Sequence, residues 1–250
     1  MPWPDFSELS FGYGFLREFE RLHARKGRFP AAPDFISQAA EATKGYDVKV
    51  LSNSTPVFFQ FKRSFVLTTG NAREIQLGDF LNPPLYRMHL REKESYRQHI
   101  ALQDLESNGE AVFYVTSQIE SANDLSRCYL KSEVLTNATA VVSPNEIMLP
   151  DTATKHHITF KADGDEFFLY SDEGTPHRRK TPKWGNVAKV LVDRRRNANA
   201  NREALSVASE QISARSPLAR DLANRFKDPV VKASVLAFLV LDAQLTFFHV

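Results

Sequence analysis

The chain has 250 residues, 42% of them hydrophobic, enough to bury a sizeable core in one large domain or in one domain with a helical extension. Its formal net charge of +2 is too small to argue for a nucleic-acid partner by itself. The single cysteine, Cys128, excludes an internal disulfide framework and any multi-cysteine zinc site, and suits a small buried residue.

In chain order, the opening MPWPDFSELS lacks the basic start and apolar stretch of a signal peptide, so a cytoplasmic, soluble protein is expected. In FGYGFLREFERLHARKG, Phe15, Phe19 and Leu22 fall at helical intervals and predict a helix stopped by Gly27, with Glu18 and Glu20 on it. Residues 45–62, GYDVKVLSNSTPVFFQFK, predict a β-hairpin: Tyr46 to Leu51 and Val57 to Phe61 as strands, joined by the turn formers from Ser52 to Pro56. Alternation along the second strand points Phe58, Gln60 and Lys62 to one face and Val57, Phe59 and Phe61 to the other. Pairing then brings Asp47 near Gln60 and Lys62.

Those residue types suit metal-assisted phosphodiester hydrolysis. A carboxylate and an amide or backbone carbonyl are hard oxygen ligands for Mg²⁺ or Mn²⁺. A lysine ammonium stabilises charge developing on a phosphate and helps to orient the attacking water. The arrangement resembles the PD-(D/E)xK nuclease superfamily, the restriction-endonuclease-like fold, in a Gln-x-Lys variant. The resemblance implies that Asp47, Gln60 and the Phe61 carbonyl hold metal, and that Lys62 is the superfamily's lysine. It further implies a glutamate from the preceding helix, with Glu18 favoured and Glu41 as the competitor, and a glutamine on the second helix, for which Gln98 stands. Two features depart from the pattern: Tyr46 precedes the aspartate where the family has proline, and Gln60 replaces an acidic residue, which removes one negative charge from the site.

Residues 86–90 (YRMHL) read as a third strand, Tyr96 to Leu105 as an amphipathic helix, and Ala111 to Thr116 as a buried strand after the Asn108-Gly109 turn. Helix, three strands, helix, strand is the order of the superfamily core, so an α/β fold with a mixed central sheet flanked by helices is expected over residues 1–150. Ile158 to Lys161 and Glu166 to Tyr170 read as two strands around the Asp163-Gly164 turn. His156 and His157, adjacent on a strand, face opposite sides and do not share a metal comfortably. No Gly-rich phosphate loop, Gly-x-Ser-x-Gly elbow or His-Glu-x-x-His helix occurs.

Residues 151–196 form a strand-containing basic extension of the same domain. His177, Arg178, Arg179, Lys180 and Lys183 surround Pro182 and Trp184, and Lys189, Arg194, Arg195 and Arg196 follow with Asp193 the only acid among them. A basic stretch with an aromatic lines a phosphate backbone, Trp184 being available to stack on a base; the bland alternative is a solvated rim. After the polar Asn197 to Asn201 break, residues 197–250 read as a helical segment, with Ser216-Pro217 and Asp228-Pro229 as helix starts. The closing ASVLAFLVLDAQLTFFHV is interrupted by Asp242, Gln244 and His249, so a packed helix is expected, not a membrane span. Its apolar surface needs the core, a second copy or another subunit.

The expected activity is Mg²⁺-dependent hydrolysis of phosphodiester bonds in DNA, with RNA not excluded. Restriction, defence against phage and repair all fit the resemblance, alone or within a larger defence assembly. The rival expectation is a catalytically inactive subunit that keeps the fold, binds nucleic acid or a partner protein, and has lost the metal; a purely protein-binding module is a third.

Overall fold

The computed structural model describes residues 4–23, 31–52, 55–78, 82–90, 96–152, 154–162, 164–171 and 177–180, with positions 27, 29, 80, 188, 189, 191, 210 and 225. Lys183, Trp184, Arg194, Arg195 and Arg196, and the helices expected after residue 197, lie outside the described residues. The chain divides into two compact units, residues 1–190 and residues 191–250, and every described strand lies in the first.

In chain order the elements are α1 (Glu8–His23), β1 (Asp34–Phe35), α2 (Gln38–Lys44), β2 (Val48–Ser52), β3 (Thr55–Lys62) and β4 (Ser64–Leu67). Then come α3 (Arg73–Gln76), β5 (Leu85–His89), α4 (Arg97–Ser107), β6 (Ala111–Ser117), α5 (Ala122–Lys131), α6 (Val134–Asn137) and β7 (Thr139–Val142). The last three strands are β8 (His156–Phe160), β9 (Glu166–Ser171) and β10 (His177–Lys180). The result is a mixed α/β architecture with two five-stranded sheets, ordered β1-β2-β3-β6-β7 and β10-β9-β8-β5-β4.

The first sheet carries the predicted hairpin. β2 runs antiparallel to β3 with Val48 opposite Phe59, and β6 runs parallel to β3 with Gln60 opposite Tyr114. A parallel neighbour needs a crossover, and α4 lies in the connection that supplies it. Strands buried on both faces read as continuous apolar runs, as Val57-Phe58-Phe59 and Ala111 to Val115 do. The odd face of β3 packs under α1: Phe15 meets Phe59 and Phe61 at ring-centroid distances of 5.0 and 5.6 Å, and Phe19 meets Phe59 at 5.1 Å. Burying each such ring contributes roughly 2–3 kcal/mol. The even face turns the other way. Phe58, Val112 and Tyr114 join one core cluster with Leu102 of α4 and with Ile158, Phe160, Phe167 and Leu169 of the second sheet.

One expectation changes here. The strand predicted over 86–90 does not lie beside the hairpin: β5 pairs antiparallel with β4 and β8 in the second sheet. The Ser64–Leu67 strand, unrecognised in the sequence, is the partner that draws it there. The chain leaves the first sheet immediately after Lys62, where the Ser64 hydroxyl and Thr116 Oγ1 stand 2.6 Å apart. β8, β9 and β10, the strands of the expected extension, join this second sheet, with β8 pairing with β5. As predicted, His156 and His157 face opposite ways: His156 is buried with Nδ1 2.8 Å from Ser171 Oγ, while His157 stacks on Tyr170. Cys128 is buried. Among the described residues no helix is long and apolar enough to cross a membrane.

Candidate active site

Three elements converge on one point: the end of the β2–β3 hairpin, α2 and α4. Local sequence builds each. Ser37 caps α2, its hydroxyl accepting from the Ala40 amide, and Gly45 closes it at φ +84°, its amide donating to the Glu41 carbonyl. Gly45 has a second reason to be glycine: a Cβ there would stand 2.7 Å from the Gln98 carbonyl and 3.0 Å from Leu102 Cγ. The end of α2 can therefore lie directly against α4, which puts Glu41 beside Gln98. α4 begins after Tyr96, a buried residue held at φ 60°, whose hydroxyl donates to the Thr154 carbonyl and accepts from the His156 amide. Non-glycine residues with positive φ are uncommon, and this one anchors the start of α4 two residues before Gln98.

The polar groups at this point form a connected network. Asp47 Oδ2 accepts from the Phe61 amide at 2.7 Å and from Gln60 Nε2 at 2.8 Å. Gln60 Nε2 also donates to the Phe61 carbonyl at 3.2 Å. Gln98 Nε2 donates to Gln60 Oε1 at 3.2 Å and to Glu41 Oε1 at 2.7 Å, and Gln98 Oε1 accepts from Lys62 Nζ at 2.9 Å. Gln60, Lys62 and Gln98 are buried. Although Lys62 ends a strand, it is buried, with its ammonium held by Gln98 of α4.

Burial pushes the Asp47 carboxyl up to about 6, against the opposing hydrogen bond from the Phe61 amide. The negative charge of Glu41 adds to the rise, Lys62 opposes it, and Glu8, exposed at the start of α1, adds to it again. Glu8 went unnoticed in the sequence, since nothing in its spacing connects it to the hairpin. Next to Gln98, His99 is held down at about 4, chiefly by burial, with its ring nitrogens against Tyr114 Oη and the Ile147 carbonyl.

Asp47, Gln60, Lys62, Glu41 and Gln98 are thus brought together. Glu18 is not. It is buried on the flank of α1 beside the Phe15–Phe19 stripe, where its two carboxylate oxygens accept from the Val134 and Leu135 amides at 3.0 Å each. It caps the first turn of α6, a role invisible to a sequence in which α6 shows only as VLTN. The glutamate of the cluster is Glu41, on the short α2 that helical spacing alone did not reveal. Arg178, Arg179 and Lys180 lie on β10, which pairs with β9 in the second sheet, and Arg179 is exposed there.

As a cation site, the cluster fits in kind. Asp47 Oδ2 and the Phe61 carbonyl, both hard oxygens, converge on a single atom, although that atom is Gln60's amide nitrogen and not its oxygen. Among the described residues no three His, Cys, Asp or Glu side chains are grouped to hold a metal, so any ion here relies on the carbonyl and amide as well as carboxylate. No family model, curated protein or solved structure matches the chain.

Proposed function

We propose that this protein is a metal-dependent nuclease of restriction-endonuclease-like fold that hydrolyses phosphodiester bonds, with DNA as the first substrate to try. The observation that carries this reading is the convergence of Asp47, Gln60, Lys62, Glu41 and Gln98 on one end of a hairpin, held by hydrogen bonds of 2.7–3.2 Å. A structural surface pair does not bury an ammonium, two amides and a raised carboxyl together; perturbed groups of this kind cluster at functional sites.

A Mg²⁺ or Mn²⁺ ion would be held by Asp47, the Phe61 carbonyl and a Gln60 turned to present oxygen, with Glu41 completing the shell, and would supply Lewis-acid polarisation and a more acidic bound water. Lys62, aimed by its bond to Gln98, places a positive charge where a phosphoryl oxygen gains negative charge. In a dry site that charge is worth far more than in water. Gln98 holds the ammonium in place, and Asp47 would be ionised whenever it held the cation, so proton release from its raised carboxyl would accompany metal uptake. The basic β10 offers a phosphate-binding edge on the same unit.

A second reading, a nuclease-like subunit that binds nucleic acid without cutting it, is favoured by one observation: Gln60 presents nitrogen at the point where the oxygens converge. Incubating plasmid and single-stranded DNA with the protein in Mg²⁺, Mn²⁺ or EDTA, beside Lys62→Met, separates the two. Lys62→Met is preferred to Lys62→Ala because it fills the same buried volume. Metal-dependent cutting that the variant loses supports the nuclease; binding without cutting supports the subunit; cutting retained by the variant sinks the assignment of Lys62.

A further inference from the structure

The polarity of the amides in this network is dictated by charge. An ammonium only donates and a carboxylate only accepts. Gln98 lies between Lys62 Nζ and Glu41 Oε1, so its oxygen must face the lysine and its nitrogen the glutamate, as their separations of 2.9 and 2.7 Å show. Its second N–H therefore points to Gln60 and requires an acceptor there, which is Gln60 Oε1 at 3.2 Å. With that oxygen committed, Gln60 turns its NH₂ the other way, and both hydrogens are used, one on Asp47 Oδ2 and one on the Phe61 carbonyl. Reversing Gln60 alone would set its NH₂ against that of Gln98 and lose all three of these bonds.

Resting on the metal-site reading above, we propose that Gln60 is a latch: its NH₂ occupies the cation position between Asp47 and the Phe61 carbonyl, and Gln98 is the positioning residue that holds it shut. A metal ion enters only as the Gln60 amide rotates, so the Gln98–Gln60 bond opposes metal uptake. In this chain the Gln-x-Lys motif stabilises the empty site and lowers its metal affinity. An acidic residue in place of Gln60 has no hydrogen to donate and leaves the position open to a cation. The proposal differs from simple loss of one negative charge because it assigns an effect to Gln98, which contributes no charge and is no ligand of the metal ion.

The test titrates Mn²⁺ calorimetrically into metal-free wild type, Gln98→Met, Gln60→Glu and Asp47→Asn, and follows the Gln60 side-chain amide by NMR. In the absence of metal the Gln60 NH₂ resonances should move in Asp47→Asn, whose site oxygen carries no charge. Gln98→Met should bind Mn²⁺ several-fold more tightly than wild type, and Gln60→Glu about tenfold more tightly, as added ligand charge requires. Gln60 resonances that ignore Asp47→Asn, or a Gln98→Met that binds no more tightly than wild type, would overturn the latch. If Gln98→Met does not fold, Gln60→Glu and the NMR decide, and equal affinity there overturns it. A latch that fails while wild type still binds Mn²⁺ and cuts DNA leaves the nuclease standing. Tighter binding in Gln98→Met with no cutting by any protein removes the nuclease and keeps the latch; no binding in any variant removes both.

Discussion

Asp47 at the end of the first sheet and Glu74 on the outer face of the second are both withdrawn from water, and their carboxyls move in opposite directions. Burial raises Asp47 to about 6, and the groups around it do not cancel that rise: the Phe61 amide and Lys62 lower it, while Glu41 and Glu8 push it further up. Burial would raise Glu74 as well. There, hydrogen bonds from His157 and from its own backbone, together with the Arg87 guanidinium, win and hold it at about 2. Arg87 reaches Glu74 Oε1 through Nε at 3.0 Å and Nη2 at 2.6 Å, with Thr159 Oγ1 at 3.1 Å. One carboxylate is neutralised where it lies, and it pins α3 to the sheet. The other stays raised although the Phe61 amide and Lys62 oppose the rise, and carboxyls perturbed in this way cluster at functional sites.

The contrast can be broken most forcefully at Glu74. Glu74→Ala strands the Arg87 guanidinium, and losing one partner of a buried pair costs about 3–5 kcal/mol. Urea denaturation should show that loss with the metal affinity of the refolded fraction unchanged; a variant as stable as wild type would mean the pair is not structural. Gly45→Ala should be next, at about 1–3 kcal/mol, because it combines an unfavourable left-handed backbone with the clash against the Gln98 carbonyl. Unlike Glu74→Ala, it should also reduce DNA cleavage by pushing α2 and Glu41 off α4.

Glu18→Gln sharpens the comparison from a third side. Replacing a charged cap by a neutral one should cost about 1 kcal/mol while cleavage stays at the wild-type rate. A loss of cleavage out of proportion to the melting temperature would restore Glu18 to the site. The smallest effects are in the pH dependence of stability, and they run in opposite senses. Between its ordinary value of 3.8 and about 6, folded Asp47 retains a proton that the unfolded chain has released, so this group removes stability as pH rises through that window. Glu74 contributes stability that is full above its ordinary 4.5 and is lost as pH falls toward about 2. Melting curves from pH 3 to 7 in Asp47→Asn and Glu74→Gln should each lose one of these slopes.

Most of the site was legible because it is local. The hairpin, the alternation that sets Gln60 and Lys62 on one face, and the reach of Asp47 to Gln60 follow from strand geometry over 45–62, and the structure brings these residues together as expected. Gln98 joined them because α4 has a recognisable pattern. What escaped was set by long-range packing. Glu18 and Glu41 are equally good carboxylates in the sequence, and only the arrival of α6 beneath one and α4 beside the other separates them. The second sheet escaped for a similar reason: SFVL is too short and too close to β3 to declare itself, so YRMHL lost its true partner. The Glu74–Arg87 pair, 13 residues apart across a loop, carried no periodic signal at all.

The most direct test measures DNA cleavage and thermal stability together in Asp47→Asn at pH 7. Asparagine keeps an oxygen to accept from the Phe61 and Gln60 donors and removes the cost of a buried negative charge, so stability should rise by about 1 kcal/mol after screening is allowed for, while cleavage is abolished. A variant that is less stable than wild type and still cuts DNA would contradict the account, since Asp47 would then be a structural carboxylate like Glu74.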